Sequence, residues 1–348
     1  MNQENVIRTT SCPVCRICQS PGLSLYQGLR DRLFGVSGEW SMKKCSNPQC
    51  GLIWLDPMPV SEDLGRLYET YYTHEIRESH SLAKRLYRRA IDAYLSKRYG
   101  YEARAESNAI DEILGALLYL HPGARAEADA RVMSLPAHAG GRLLEVGFGT
   151  GQTLRRMQTL GWAVQGVEFD PVAVNNAAAS GLTVHLGDIA AQNFAEGSFD
   201  AVVSSHVLEH IPDPEGFLRE CWRVLKPGGI VLVYTPNSRS FGHLVFGANW
   251  RGLEPPRHIH LFNSENLVGM ARAVGLSHIF CRATVRGGAI LAASWYLSQM
   301  TKSQSLLIMK SSRLLEEAAH YLSWAACKFN GNLGEELVLK ARKPETAV

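Results

Sequence analysis

Glu145, Glu168 and Asp188 are three carboxylates that follow one another at the ends of apolar runs, with Gly147, Gly149 and Gly151 beside the first of them. Glycine at every second position permits positive φ and removes the Cβ atoms that would keep a ligand off the backbone. A helix starting there would offer unpaired N–H groups. Glu145, just before the first glycine, could accept from a cationic amino-acid head. Glu168 falls about 20 residues further on, the distance at which an acid meets ribose hydroxyls in βαβ nucleotide folds. Asp188, in Gly187-Asp188-Ile189, could accept from an exocyclic adenine amine. The set describes adenosine carrying a charged amino acid. It suits a dinucleotide poorly, because the G-x-G-x-x-G fingerprint wants glycine where Gln152 stands.

Positioning these groups takes a strand, a tight turn and a helix, repeated. The apolar run ending at Val146 feeds the glycine turn, and Gln152 to Met157 reads as the first turns of a helix. Further strands are predicted at Ala163–Val167, Thr183–Leu186, Ser198–Ser204, Ile230–Tyr234, Leu276–Cys281 and Glu336–Ala341. Lys226-Pro227-Gly228-Gly229 is predicted as the turn before the fifth of the seven.

The phrases LLEVGFGTG, VEFD, GDI, SFDAVVSSHVLEHIPDP and LRECWRVLKPGGIVLVYTPN occur in this order. Residues 141–237 thereby resemble the core of a class I S-adenosylmethionine (SAM)-dependent methyltransferase. The resemblance implies an α/β fold, a doubly wound, mostly parallel sheet of seven strands with an antiparallel last strand, and the cofactor at the strand C-termini. Cofactor-binding positions are then Glu145, Gly147, Gly149, Gly151, Glu168, Asp188, Ile189 and Ser205. Ser205 and His206 end the fourth strand, where family members meet cofactor and acceptor. The pair Glu209-His210 tends to be scaffolding in relatives.

Methyl transfer from a sulfonium is an in-line displacement, so the protein must align the nucleophile and, for a hydroxyl, remove a proton. Histidine suits that task. The phrase Asn249-Trp250-Arg251-Gly252-Leu253-Glu254-Pro255-Pro256-Arg257-His258-Ile259-His260-Leu261-Phe262 crowds arginine, histidine, glutamate and tryptophan onto a proline-stiffened loop. The expected base is His258, with His206 second; Arg257 and His260 would hold the loop together. The expected acceptor is a small molecule methylated at oxygen, in secondary-metabolite, quinone or surface-glycan assembly. C- or N-methylation and an RNA-directed role are the alternatives.

Five of the 8 cysteines fall in the first fifty residues: Cys12, Cys15, Cys18, Cys45 and Cys50. A Cys-x-x-Cys knuckle and a second pair about 30 residues later form a zinc-ribbon layout. Pro13 shapes the first turn and Pro48 and Gly51 the second, so the expected Zn²⁺ ligands are Cys12, Cys15, Cys45 and Cys50. Cys15-x-x-Cys18 offers a second knuckle.

The expected division is a zinc-ribbon-like module over 1–60, a helical cap or linker over 61–137, and the methyltransferase core over 138–348 with a helical insertion at about 284–333. Tyr71-Tyr72-Thr73-His74 would reach toward the cofactor or simply fill core. Residues 77–133 alternate basic and apolar positions, a face for phosphate-bearing substrates, an anionic membrane surface, or water. The insertion reads as a helical hairpin that serves as a lid, a homodimer surface or a shallow membrane contact. A formal net charge of +3 gives no reason to expect nucleic acid. With no apolar leader and no long apolar run, the expected location is cytoplasmic.

Overall fold

The computed structural model describes residues 7–68, 82–102, 108–300 and 313–345. Tyr71-Tyr72-Thr73-His74, named above, lies outside these, as do 77–81 and 103–107 of the basic and apolar stretch and 301–312 of the expected insertion. In chain order the strands are β1 (Thr9–Thr10), β2 (Gly22–Leu29), β3 (Trp40–Cys45), β4 (Ile53–Leu55), β5 (Met58–Pro59), β6 (Arg142–Val146), β7 (Ala163–Glu168), β8 (Val184–Leu186), β9 (Phe199–Ser205), β10 (Leu225–Pro236), β11 (His260–Leu261), β12 (Ser277–Thr284) and β13 (Glu336–Arg342). The helices are α1 (Leu82–Tyr99), α2 (Ala109–Leu117), α3 (Pro122–Arg131), α4 (Gln152–Thr159), α5 (Pro171–Ala179), α6 (Pro214–Val224), α7 (Phe241–Phe246), α8 (Ser264–Ala273), α9 (Gly288–Gln299) and α10 (Arg313–Phe329).

Seven strands form one sheet in the order β12-β13-β10-β9-β6-β7-β8. β6 is parallel to both β7 and β9, β7 is parallel to β8, and β12 is antiparallel to β13. This is the doubly wound α/β arrangement expected. Leu143, Leu144, Val202 and Val203 are fully buried on successive positions, as a strand covered on both faces requires. β10 differs from expectation, because it runs straight through Lys226-Pro227-Gly228-Gly229. Gly228 takes φ 76°, its N–H donates to the carbonyl of Lys343 at 2.9 Å, and Lys343 donates back to Gly229 at 3.0 Å. A pairing partner more than a hundred residues away keeps that stretch extended.

Packing divides the chain into two units, 1–72 with 205–222 and 233–342, and 73–204 with 223–232 and 343–348. In the first, β2, β3 and β4 make an antiparallel ribbon whose free edge takes up β11, giving the order β11-β4-β3-β2. Along β3 the side chains alternate, Trp40 and Met42 inward and Ser41 and Lys43 outward, the period of a half-buried strand. Trp40, Met42, Ile53 and Leu55 pack with Trp250, Leu253, Ile259 and Leu261. Each such buried side chain contributes about 1.5–3 kcal/mol. In the same unit α9 packs on α10.

In the second unit, α2 starts from a capping box in which Asn108 and Asp111 satisfy each other's backbone N–H groups. Gly115 lets α2 close on α1: a Cβ there would stand 3.1 Å from the Cβ of Ala93 and the backbone nitrogen of Tyr94. The hydroxyls of Tyr94 and Tyr99 donate to Asp129 at 2.7 and 2.9 Å, tying α1 to α3.

Candidate functional site

In the second unit the turn after β6 is built by its glycines, with Gly147, Gly149 and Gly151 at φ 75°, 53° and 69°. Those values are costly for residues carrying a Cβ. The N–H of Gly147 donates to the carbonyl of Val167 at 2.8 Å, which pins the turn to β7. Glu168, at the end of β7, accepts from the N–H of Gly149 at 2.9 Å through one oxygen and from Phe169 and Asp170 through the other. Asp188 is exposed and Ile189 is buried beside it. Glu145 is 3% exposed, and its Oε2 has no hydrogen-bond partner. Burial pushes its pKa up to about 8, and the nearby Glu168 adds to the rise. A buried carboxyl with one oxygen left without a partner calls for a further donor, and a cation would meet that need. Nothing lies within 4 Å of where a Cβ of Gly149 would project. Open backbone at the turn, an unsatisfied acid and a carboxylate at the next strand end fit the adenosyl group and ammonium of SAM.

In the first unit, β9 ends at the half-buried Ser205 and His206 follows at φ 56°, its N–H held by the carbonyl of Tyr234 at 2.9 Å. The imidazole lies between two carboxylates: Nδ1 is 3.2 Å from Glu209 and Nε2 2.7 Å from Glu336. Glu336 also accepts from Arg286 at 3.0 Å, and Glu209 from the hydroxyl of Thr235 at 2.9 Å. Burial pulls the His206 pKa down, but the hydrogen bonds to Glu209 and Glu336 outweigh it and hold it near 10. His206 is therefore an imidazolium at neutral pH. Its side chain is 35% exposed, whereas those of Glu209 and Glu336 are 0% and 2% exposed, so it is the member of the cluster a ligand can reach. Sequence reading missed Glu336 and Arg286; they lie on β13 and beyond β12, and only the sheet order brings them to His206.

The proline-rich loop is an anchored structure. Arg257 is fully buried and pairs with both oxygens of Asp31, at 2.9 and 3.1 Å. Its Nε donates to Glu254 at 3.0 Å, and its guanidinium covers the ring of Phe34 at 4.3 Å. Asp31 also accepts from the N–H groups of Leu33, Phe34 and Val36. His258 is 5% exposed and donates from Nδ1 to the carbonyl of Gly252 at 2.7 Å; burial lowers its pKa to about 4. Its remaining nitrogen lies 3.7 Å from Glu254 and 4.0 Å from Glu209. His260 is fully buried, with Nδ1 donating to the carbonyl of Ile211. His210 binds the carbonyl of Arg257 at 2.9 Å. These contacts are those of a loop scaffold.

The ribbon gathers four sulfurs, those of Cys15, Cys18, Cys45 and Cys50, all within 4.8 Å of one another. Cys15 and Cys50 are 3.6 Å apart and Cys18 and Cys45 3.3 Å. A tetrahedron with metal–sulfur bonds of about 2.3 Å has edges of about 3.8 Å, so the thiolates fit Zn²⁺ after small adjustments. Cys12, expected in this set, stands outside it. Its backbone N–H is taken by Asp56 at 2.6 Å and its sulfur lies by the carbonyl of Thr10, while a turn from Cys15 to Gln19 carries Cys18 to the cluster instead. The available signal was the second knuckle, Cys15-x-x-Cys18.

A family model described as a methyltransferase domain matches residues 119–279. Over 162 residues, 42% of this chain and 70% of the relative, the chain is 33% identical to "Ubiquinone biosynthesis O-methyltransferase" of Paraburkholderia phymatum. Over 206 residues, 56% of this chain and 82% of the relative, it is 30% identical to a protein of the same name from Cereibacter sphaeroides. With the strand order, the glycine turn and the acids that follow it, these likenesses decide the family: the chain belongs to the class I SAM-dependent methyltransferases.

Proposed function

We propose that this methyltransferase acts on a hydroxyl of a small molecule in quinone biosynthesis, with Glu145, the turn at Gly147–Gly151, Glu168, Asp188, Ile189 and Ser205 serving the cofactor. The observation that carries the reading is the likeness to relatives named as O-methyltransferases, one of them 70% covered. Bound SAM supplies an electrophilic methyl group on a sulfonium. The chain's own part is to hold an acceptor oxygen in line and favour its ionised form.

His206 takes that second role as a fixed cation. A histidine held protonated by Glu209 and Glu336 has no lone pair with which to remove a proton. Both of its N–H groups are given to Glu209 and Glu336, so it acts on a nearby hydroxyl by charge through space, shared with those carboxylates and with Arg286, and not as a hydrogen-bond donor. The acceptor's proton then leaves to water. A phenolic hydroxyl, with an intrinsic pKa of about 10, is within reach of such assistance; an aliphatic one is not. His258, buried with one nitrogen spent on Gly252, supports the loop in this reading. The ribbon holds one structural Zn²⁺ through Cys15, Cys18, Cys45 and Cys50.

The test is transfer of labelled methyl from SAM to catechol probes such as 3,4-dihydroxybenzoate, with the product's methylated atom identified by NMR. Label on oxygen, and activity that rises with pH along the ionisation of the probe, are expected. Label on carbon or nitrogen, or no transfer to any hydroxylated aromatic by a protein that binds S-adenosylhomocysteine, would reject the reading.

A further inference from the structure

We infer that the face formed by α1 and α2 docks on an anionic lipid bilayer surface. Along α2 and the turn that follows it, Ile110, Ile113, Leu117 and Leu120 are 60%, 60%, 50% and 73% exposed. Their spacing of three, four and three residues places them in one stripe. Gly115 faces α1, in contact range of Ala93 and Tyr94, which turns the stripe away from the body of the unit. A row of four large aliphatic side chains in water is a cost that folding alone does not require, and such rows mark contact surfaces.

The charges beside the stripe choose the partner. Asp111, in the first turn of α2, is 2.6 Å from Arg89, so the N-terminal turns of α1 lie against the start of the stripe. Those turns also present Arg85 and Arg88, both exposed, and α1 has no acid in its first turn. Of the two acids early in α2, Asp111 is already paired and Glu112 is exposed. An anionic headgroup layer over an acyl interior satisfies both halves: aliphatic side chains enter the interface while arginines contact phosphates. The contact is with a surface, since no helix among the described residues is long and apolar enough to cross a membrane.

The test is co-sedimentation of the full chain with vesicles of phosphatidylglycerol, and separately of phosphatidylcholine, with folding followed by circular dichroism and S-adenosylhomocysteine binding. The wild type should bind the anionic vesicles, release from them as salt is raised, and leave the zwitterionic ones. The pair Ile113→Asp with Leu117→Asp, and separately Arg85→Glu with Arg88→Glu, should each weaken binding by about tenfold or more. Both pairs alter exposed side chains, so the fold and cofactor binding persist. Absence of wild-type binding, equal binding to both lipids, or either double variant sedimenting like wild type overturns the inference. So does self-association through this face without vesicle binding.

Discussion

Replacing Glu145 by glutamine should abolish a proton release that accompanies S-adenosylhomocysteine binding. The ligand-free carboxyl is buried, lacks a partner on Oε2, and has its pKa pushed up to about 8 by that burial. At pH 7 such a group is about nine-tenths protonated, whereas beside a bound ammonium the ionised form is favoured. Binding should therefore expel about 0.9 proton at pH 7, about half a proton at pH 8 and about one-tenth at pH 9. In the absence of other titrations, affinity should rise about tenfold from pH 7 to pH 9. Titration calorimetry in two buffers of different ionisation enthalpy reads the proton count directly. Glu145→Gln should bring it to zero at each pH and flatten the affinity profile. The sign for folding is opposite: a carboxyl whose folded pKa is raised stabilises the ligand-free protein at low pH, and this is lost as pH climbs through about 8. A wild type that releases no proton at pH 7, or a variant that releases as many, would refute this assignment.

Elemental analysis should find about one Zn²⁺ per chain, retained in Cys12→Ser and lost in Cys18→Ser; the reverse pattern would restore Cys12 as a ligand. His206 gains stability from its carboxylate partners, present in full below its unfolded pKa of about 6.5 and lost as pH rises through about 10. Thermal midpoints of the wild type should fall across that window, and those of Glu336→Gln should fall less. His206→Gln should lower turnover on a catechol probe by about a hundredfold while S-adenosylhomocysteine affinity stays within about threefold; unchanged turnover would remove His206 from the chemistry. Asp31→Asn leaves the fully buried Arg257 without its main partner and should cost about 3–5 kcal/mol in urea denaturation, part of which Asp31→Asn with Arg257→Met recovers.

The sheet was legible because its strands carry apolar runs, three of which (β6, β7 and β8) end at a glycine or an acid, and local rules set both features. The turn at Gly147–Gly151 was legible for the same reason, since its positive φ values demand glycine. What escaped reading depended on partners far along the chain. Lys226-Pro227-Gly228-Gly229 has a turn composition, yet Lys343 holds it as strand. Arg257 was read as holding its loop together, but its partner Asp31, 226 residues earlier, was not. The histidine that is reachable, His206, is locked as a cation by Glu336, 130 residues on. Cys12 was preferred over Cys18 on the strength of Pro13, whereas the four sulfurs that converge are those of Cys15, Cys18, Cys45 and Cys50.

A crystal structure with S-adenosylhomocysteine tests the cofactor cradle most directly. The adenosine should lie over Gly147–Gly151, with ribose hydroxyls on Glu168, the adenine amine near Asp188 and the ammonium directed to Glu145. Ligand density away from this turn, or a ribose that leaves Glu168 uncontacted, would contradict it.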